Sequence, residues 1–173
     1  MSSKRLRLLA ALPLLLATSL GLARAETPPP WPGDAWRTDH RIIDLHQHIN
    51  STEEHIQKAV RILDRAGVGV GVNLSGGTVT RRSGESSGFE KTRDLFERVA
   101  PGRFVQYFNL DYSGWDDPGF AERAVQQVDE ARRLGAAGLK EYKRLGLFLR
   151  DGRGELIRID DPKLDCVWRR CGE

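Results

Sequence analysis

The sequence is poor in sulfur: two cysteines and one methionine among 173 residues, with Cys166 and Cys171 both close to the C-terminus. So few thiols exclude a disulfide-stapled scaffold and a cysteine-rich metal cluster. If their segment is helical, a spacing of five sets the two side chains about 140° apart around the axis, which does not suit a bridge. They read as two incidental thiols. Histidine is scarce too, with four in the chain, so any imidazole chemistry must come from His40, His46, His48 and His55. No run is long enough to span a bilayer: Leu8 to Leu22 is about 15 residues where about 20 are needed, and Pro13 interrupts it. A net charge is lacking as well. The formal value is +3, but residues 1–25 carry Lys4, Arg5, Arg7 and Arg24 and no acid. Of 27 basic side chains, 23 then remain against 24 acidic ones. A body so near neutrality offers no electrostatic footprint for nucleic acid.

What is present begins with a tripartite N-terminus. A basic start, the short apolar run and Ala23-Arg24-Ala25 follow in the order of a secretory signal. Residues 1–25 are therefore expected to be removed after Ala25, leaving a secreted or periplasmic protein without a stable membrane anchor. Residues 26–40, with Pro28-Pro29-Pro30 and Pro32, read as a proline-rich leader extended along the surface.

From Arg41 to Glu173 short apolar strands alternate with amphipathic helices. Arg41–His46 is rich in β-branched residues, a strand signal. Ser51 and Glu54 have capping-box spacing, Ile56, Ala59, Val60, Leu63 and Ala66 then share a helical face, and Gly67 ends it. Residues 68–74 form a second strand, apolar on both faces as in buried parallel sheets. A polar loop over 75–87 precedes a helix carrying Phe89, Leu95, Phe96 and Val99. Residues 103–110 are the third strand, and Asp117-Pro118 predicts the next helix start. Residues 136–140 give a fourth strand, 147–159 a small hairpin, and Asp161-Pro162 a last helix. Four βα repeats imply an α/β fold with a parallel sheet, either doubly wound or the first half of a (β/α)₈ barrel.

The chemistry concentrates at Asp44-Leu45-His46-Gln47-His48, where the first strand ends. Alternate residues of a strand share a face, so Asp44, His46 and His48 are expected to point the same way. Two imidazoles two residues apart chelate one metal ion, and the C-terminal edge of a parallel strand is where α/β enzymes place their sites. By contrast, Gly67-x-Gly69-x-Gly71 falls within a strand and lacks the context of a phosphate loop.

This Asp-x-His-x-His resembles the metal-binding signature of the amidohydrolase superfamily. Residues 135–147, the Asp160-Asp161-Pro162-Lys163-Leu164-Asp165 stretch and Pro101-Gly102-Arg103-Phe104 resemble its amidohydrolase-related branch. The resemblance implies a TIM-type barrel, of which residues 41–173 form the first four βα units. It also implies one or two divalent metals, often zinc, activating water against an amide, ester or lactone-like bond of a small-molecule substrate. Some relatives are instead decarboxylases or hydratases. His46 and His48 correspond to the first-strand ligands. Lys140, near the end of strand four, stands where some relatives carry a carboxylated lysine; a salt bridge or a contact to a substrate anion are its other readings. Relatives draw further ligands from later strands, so the chain is expected to be an incomplete copy. A non-catalytic fragment or binding module is the alternative, and oligomerisation stays open.

Overall fold

A computed structural model describes residues 31–173. The expected signal segment, residues 1–25, and the first part of the leader, residues 26–30, lie outside the described residues. Among the described residues no helix is long and apolar enough to cross a membrane. The rest of the leader departs from expectation: Pro32–Thr38 forms helix α1 rather than an extended arm. Proline at the helix start gives up an N–H that has no partner there anyway, and Asp34 and Arg37 oppose the helix dipole at its two ends.

Four βα units follow in sequence. Strand β1 (Ile42–Gln47) leads to α2 (Glu53–Ala66), β2 (Val68–Asn73) to α3 (Gly88–Val99), and β3 (Phe104–Phe108) to α4 (Phe120–Arg133). Strand β4 (Gly138–Leu139), a 3-10 turn (Pro162–Leu164) and α5 (Asp165–Gly172) complete the chain. The order β1-β2-β3-β4 is sequential and every pair is parallel, giving a curled half-barrel sheet. The α/β fold class and the parallel sheet agree with the sequence reading.

Local signals shift in detail. Helix α2 is capped by Thr52, whose side chain accepts from His55 N, while Ser51 Oγ lies 3.0 Å from Thr92 Oγ1 on α3. Ser51 is drawn into a tertiary contact and the cap moves one residue on. Gly67 ends α2 at φ 73°, and a Cβ there would stand 2.3 Å from Arg37 O, so only glycine fits. Helix α3 carries a full capping box between Ser87 and Glu90. Helix α4 starts later than Asp117-Pro118 predicts: Phe120 N bonds Asp117 O in a preceding turn, and Gly119 is the cap. Strand β4 is shorter than predicted, although Ala137 N to Gln106 O and Lys140 N to Phe108 O extend its backbone bonding. The expected hairpin reduces to one antiparallel bridge, Arg150 with Leu156. Asp151 explains this, because its carboxylate bonds Arg153 N and Glu155 N and closes a tight loop instead of a ladder.

The core lies between sheet and helices in two clusters. The larger gathers Phe89, Phe108, Trp115, Phe120, Leu164 and Val167, and the smaller sets Ile56, Phe96 and Ala100 against Phe104. Phe104 and Phe96 meet edge to face at 5.2 Å. Phe104 pairs in register with Gly71, so Gly71 shares this helix-covered face. The neighbouring pair Ile43–Val70 points the other way, and Ile43 is 57% and Leu45 71% exposed.

Among the described residues strand β1 is therefore an edge bearing exposed apolar side chains, the arrangement that promotes edge-to-edge pairing. Leu45→Lys is expected to lower the self-associated fraction severalfold in light scattering while leaving the far-UV dichroism unchanged. Equal association by both proteins would show that this edge does not drive it.

Candidate metal centre

His46 and His48 stand at the end of β1 with their ring centroids 5.3 Å apart, nearly edge to face. Their pairing is as the sequence implies; the place of Asp44 is not. Asp44 pairs with Gly71 and Gln47 with Asn73, so three steps along β1 match two along β2 and a bulge lies between. The bulge breaks the alternation that would align Asp44 with the histidines. Its carboxylate stays on its own strand, accepting from His46 N at 3.0 Å and Gln47 Nε2 at 2.9 Å.

His48 is fixed from two sides. Nδ1 lies 2.8 Å from Ser75 Oγ, which leaves Nε2 for a ligand. The Tyr142 ring stacks obliquely beside it at 5.8 Å, and Tyr142 Oη donates to Leu74 O at 3.2 Å. Burial, and then the charges of His46 and Lys140, hold the His48 pKa below its ordinary value. The neutral imidazole that ligates a metal is thereby favoured.

Lys140, just beyond β4, faces the same cleft of about 550 Å³ as His46 and His48, together with Tyr142 and Phe148. The three residues singled out in the sequence, His46, His48 and Lys140, thus come together from opposite ends of the sheet. His40 follows α1, and His55 sits in the first turn of α2 with Nδ1 2.6 Å from Thr52 Oγ1. Neither lines the cleft. Cys166 and Cys171 are free thiols on α5. Among the described residues no group of three or more His, Cys, Asp or Glu side chains could hold a metal ion. The donor chemistry of the His pair fits two positions of a divalent cation, with a neutral imidazole and an oriented ring.

Sequence reading missed the side chains that set this geometry. Asn73 and Asn109 are buried where β2 and β3 end, and Gln106 is buried within β3. Asn73 Nδ2 donates to Gln106 Oε1 at 2.8 Å, while Asn73 Oδ1 accepts from Ile49 N and Ser75 N. Asn109 Nδ2 donates to Lys140 O at 2.9 Å and Leu74 O at 3.3 Å, and Oδ1 accepts from Gly77 N. Ser75, the partner of His48, and Lys140 are both held through these amides. Their signal in the sequence is a polar amide closing a strand that is otherwise apolar, as in Val70-Gly71-Val72-Asn73.

A second cavity, of about 350 Å³, adjoins the cleft and shares Glu141, Tyr142 and Arg144 with it. Tyr112 Oη and Glu141 Oε1 are buried without a hydrogen-bond partner. Burial pushes the Glu141 carboxyl up to about 7, against the opposing pull of the Tyr112 phenol and the Lys140 charge. Burial and the neighbouring Glu141 raise the Tyr112 phenol in turn.

Two outcomes follow from these contacts. Asn109→Ala strips partners from Lys140 O, Leu74 O and Gly77 N, and is expected to cost about 2–4 kcal/mol in denaturant unfolding. A loss below about 0.5 kcal/mol would show that water replaces the amide. For Glu141 the folded pKa lies above that of the unfolded chain. Its burden is absent below pH about 4.5 and grows as pH rises toward 7, reaching at most about 3 kcal/mol. Glu141→Gln should therefore gain stability relative to the parent between pH 4.5 and 7.5; parallel stability curves for the two proteins would refute this.

No protein-family model, curated protein or solved structure matches the chain.

Proposed function

We propose that this chain is an exported metal-dependent hydrolase of the amidohydrolase type, its four βα units belonging to a (β/α)₈ TIM-type barrel. The observation that carries the reading is the convergence of His46 and His48, at the C-terminal end of the first parallel strand, with Lys140 from the fourth. The parallel half-barrel sheet supports it, because the ends of such strands gather side chains from several units into one pocket. The basic, apolar and small-residue order of residues 1–25 supports export.

A divalent cation, zinc by preference for imidazole, supplies Lewis-acid chemistry and lowers the pKa of water from about 16 toward about 7. The chain's own part is to present that cation and the substrate. His46 and His48 offer two nitrogens, Ser75 fixes the His48 ring, and Tyr142 closes one side of the pocket. Beside burial and His46, the charge of Lys140 lowers the His48 pKa, and the same charge opposes a cation. Carboxylation would remove it: the ammonium gives one proton to solvent, the free amine adds to carbon dioxide and gives up a second as the N–C bond forms, and the carbamate left would offer an anionic oxygen. A substrate with an amide, ester or lactone-like bond fits the cleft as a small molecule.

Zinc titration of the purified full chain, with and without bicarbonate, tests the reading. Binding is expected to be weak, to tighten with bicarbonate, and to vanish in His46→Ala and His48→Ala while His55→Ala behaves as the parent. Lys140→Ala should remove the bicarbonate effect. With hydrolysis of an ester and lactone panel as the second readout, Lys140→Ala lowers metal content if the lysine is a ligand. It raises KM at unchanged metal content if the lysine contacts substrate. Zinc binding and turnover that both survive His48→Ala would sink the assignment.

A further inference from the structure

The lining of the His46/His48 cleft is unbalanced in charge. Lys140, Lys143 and Arg144 face it against a single carboxylate, Glu141. Elsewhere some arginines answer acids, Arg81 pairing with Glu90 at 2.6 Å, Arg103 with Asp64 at 2.8 Å and Arg170 with Asp129 at 2.7 Å, so it is the gathering of cations on one cleft wall, more than the lack of pairs, that sets this site apart. Among the described residues, neither Lys143 nor Arg144 forms an ion pair. Both are held at the lip by a fixed backbone. Leu145 N bonds Tyr142 O, and Arg144 O accepts from both Phe148 N and Leu149 N at 2.8 Å. That turn also presents Phe148, 71% exposed, beside the two cations and on the wall of the same cleft.

A solvated charge needs no apolar neighbour, and a buried aromatic needs no cations. Their juxtaposition on one cleft wall matches a ligand that has both an acid group and an apolar body. We propose that the cleft takes an anionic substrate, its acid group held by Lys143 and Arg144 and its apolar body resting on Phe148, so that the bond to be hydrolysed lies toward His46 and His48. The chemical class is an aromatic or similarly apolar acid, bearing a carboxylate or a phosphate. The proposal deepens the hydrolase reading and rests on it for the reaction, but the binding itself requires no metal. Arg144 suits the acid group in particular, because a guanidinium matches the two oxygens of a carboxylate or phosphate in a fork.

Binding of benzoate, phenylphosphate and benzyl alcohol to the metal-free full chain, followed by calorimetry or ligand-observed resonance, tests it. At least one acid should bind ten times or more tighter than the alcohol, and the tighter acid identifies carboxylate or phosphate as the group recognised. The double variant K143Q/R144Q should bring that acid down to the level of the alcohol. Both side chains are exposed and unpaired, so the far-UV dichroism should not change. Phe148→Ser should weaken acid and alcohol alike. His46→Ala should leave acid binding intact while removing zinc, which separates a failure of the metal assignment from a failure of this one. Equal binding of alcohol and acids, or acid binding that survives K143Q/R144Q, would overturn the proposal. So would binding confined to phosphatidylserine vesicles, lost in K143Q/R144Q and Phe148→Ser, which would make the lip a membrane-surface contact.

Discussion

The arrangement depends on one constraint: where four parallel strands end, the departing backbone loses its ladder partners and must find others. Two buried amide side chains, Asn73 and Asn109, supply them, with Gln106 bonded to the first. Between them, Asn73 and Asn109 take up Ile49 N, Ser75 N, Gly77 N, Leu74 O and Lys140 O. A buried primary amide is costly to desolvate unless its donors and acceptors are used, and an orphaned backbone group costs about 1–3 kcal/mol. Placing an amide beside several such groups resolves both problems with one residue. The row is not perfectly satisfied, since Gln47 Oε1 and Gln106 Nε2 at its ends remain without partners. Those two side chains flank Asn73 in register, so the tension falls on the row itself and not on the loops it secures.

This constraint carries the chemistry with it. The Ser75 backbone is held by Asn73, and its hydroxyl orients His48. The Lys140 carbonyl is held by Asn109, and its side chain faces the same cleft. The site is therefore set by the strand ends and not by the loops alone, which is where precision of a few tenths of an ångström is most easily kept. Tyr142 closes the circuit: its hydroxyl returns to Leu74 O while its ring lies against His48. Asn73, Asn109 and Tyr142 each touch a backbone atom beyond another strand's end, Ile49 N, Lys140 O and Leu74 O, so displacement of one strand is felt at the histidines.

The elements were legible in the sequence because each rests on a short-range rule. Apolar runs give β1, β2 and β3, Gly67 gives the end of α2, and the polar loop over 75–87 gives the start of α3. The histidine pair was legible because two imidazoles two residues apart at a strand end are a short-range pattern. What escaped depends on contacts between distant residues. Ser51 gives up its predicted capping role for Thr92, 41 positions away, and the bulge that diverts Asp44 exists only in the register of β1 with β2. The leader misled for a different reason. Proline content argues against a helix interior, yet a proline at the first turn is neutral or favourable there, and Pro32–Thr38 begins at one. The amides were visible as polar interruptions in apolar strands, but nothing local says that they reach across to the neighbouring strand end.

Charge links the metal reading to the substrate reading. Burial, and then the charges of His46 and Lys140, lower the His48 pKa, and a divalent cation placed there would meet the same charges. Such a site needs compensating negative charge. Glu141 is poorly placed to give it, because burial holds its carboxyl up at about 7, so that near neutrality it is only partly ionised. On the proposed readings two sources would supply it: a carboxylated Lys140, which replaces a positive charge by a negative one, and the substrate's own acid group. An anion seated on Lys143 and Arg144 would bring its charge to the cleft together with the bond to be broken. On the two proposals together, affinity for the cation and affinity for the acid would be coupled, each strengthening the other by the same factor, as linkage requires of two ligands at one centre. A neutral substrate would gain nothing from that coupling, so discrimination would arise from the charge balance of the cleft more than from its shape.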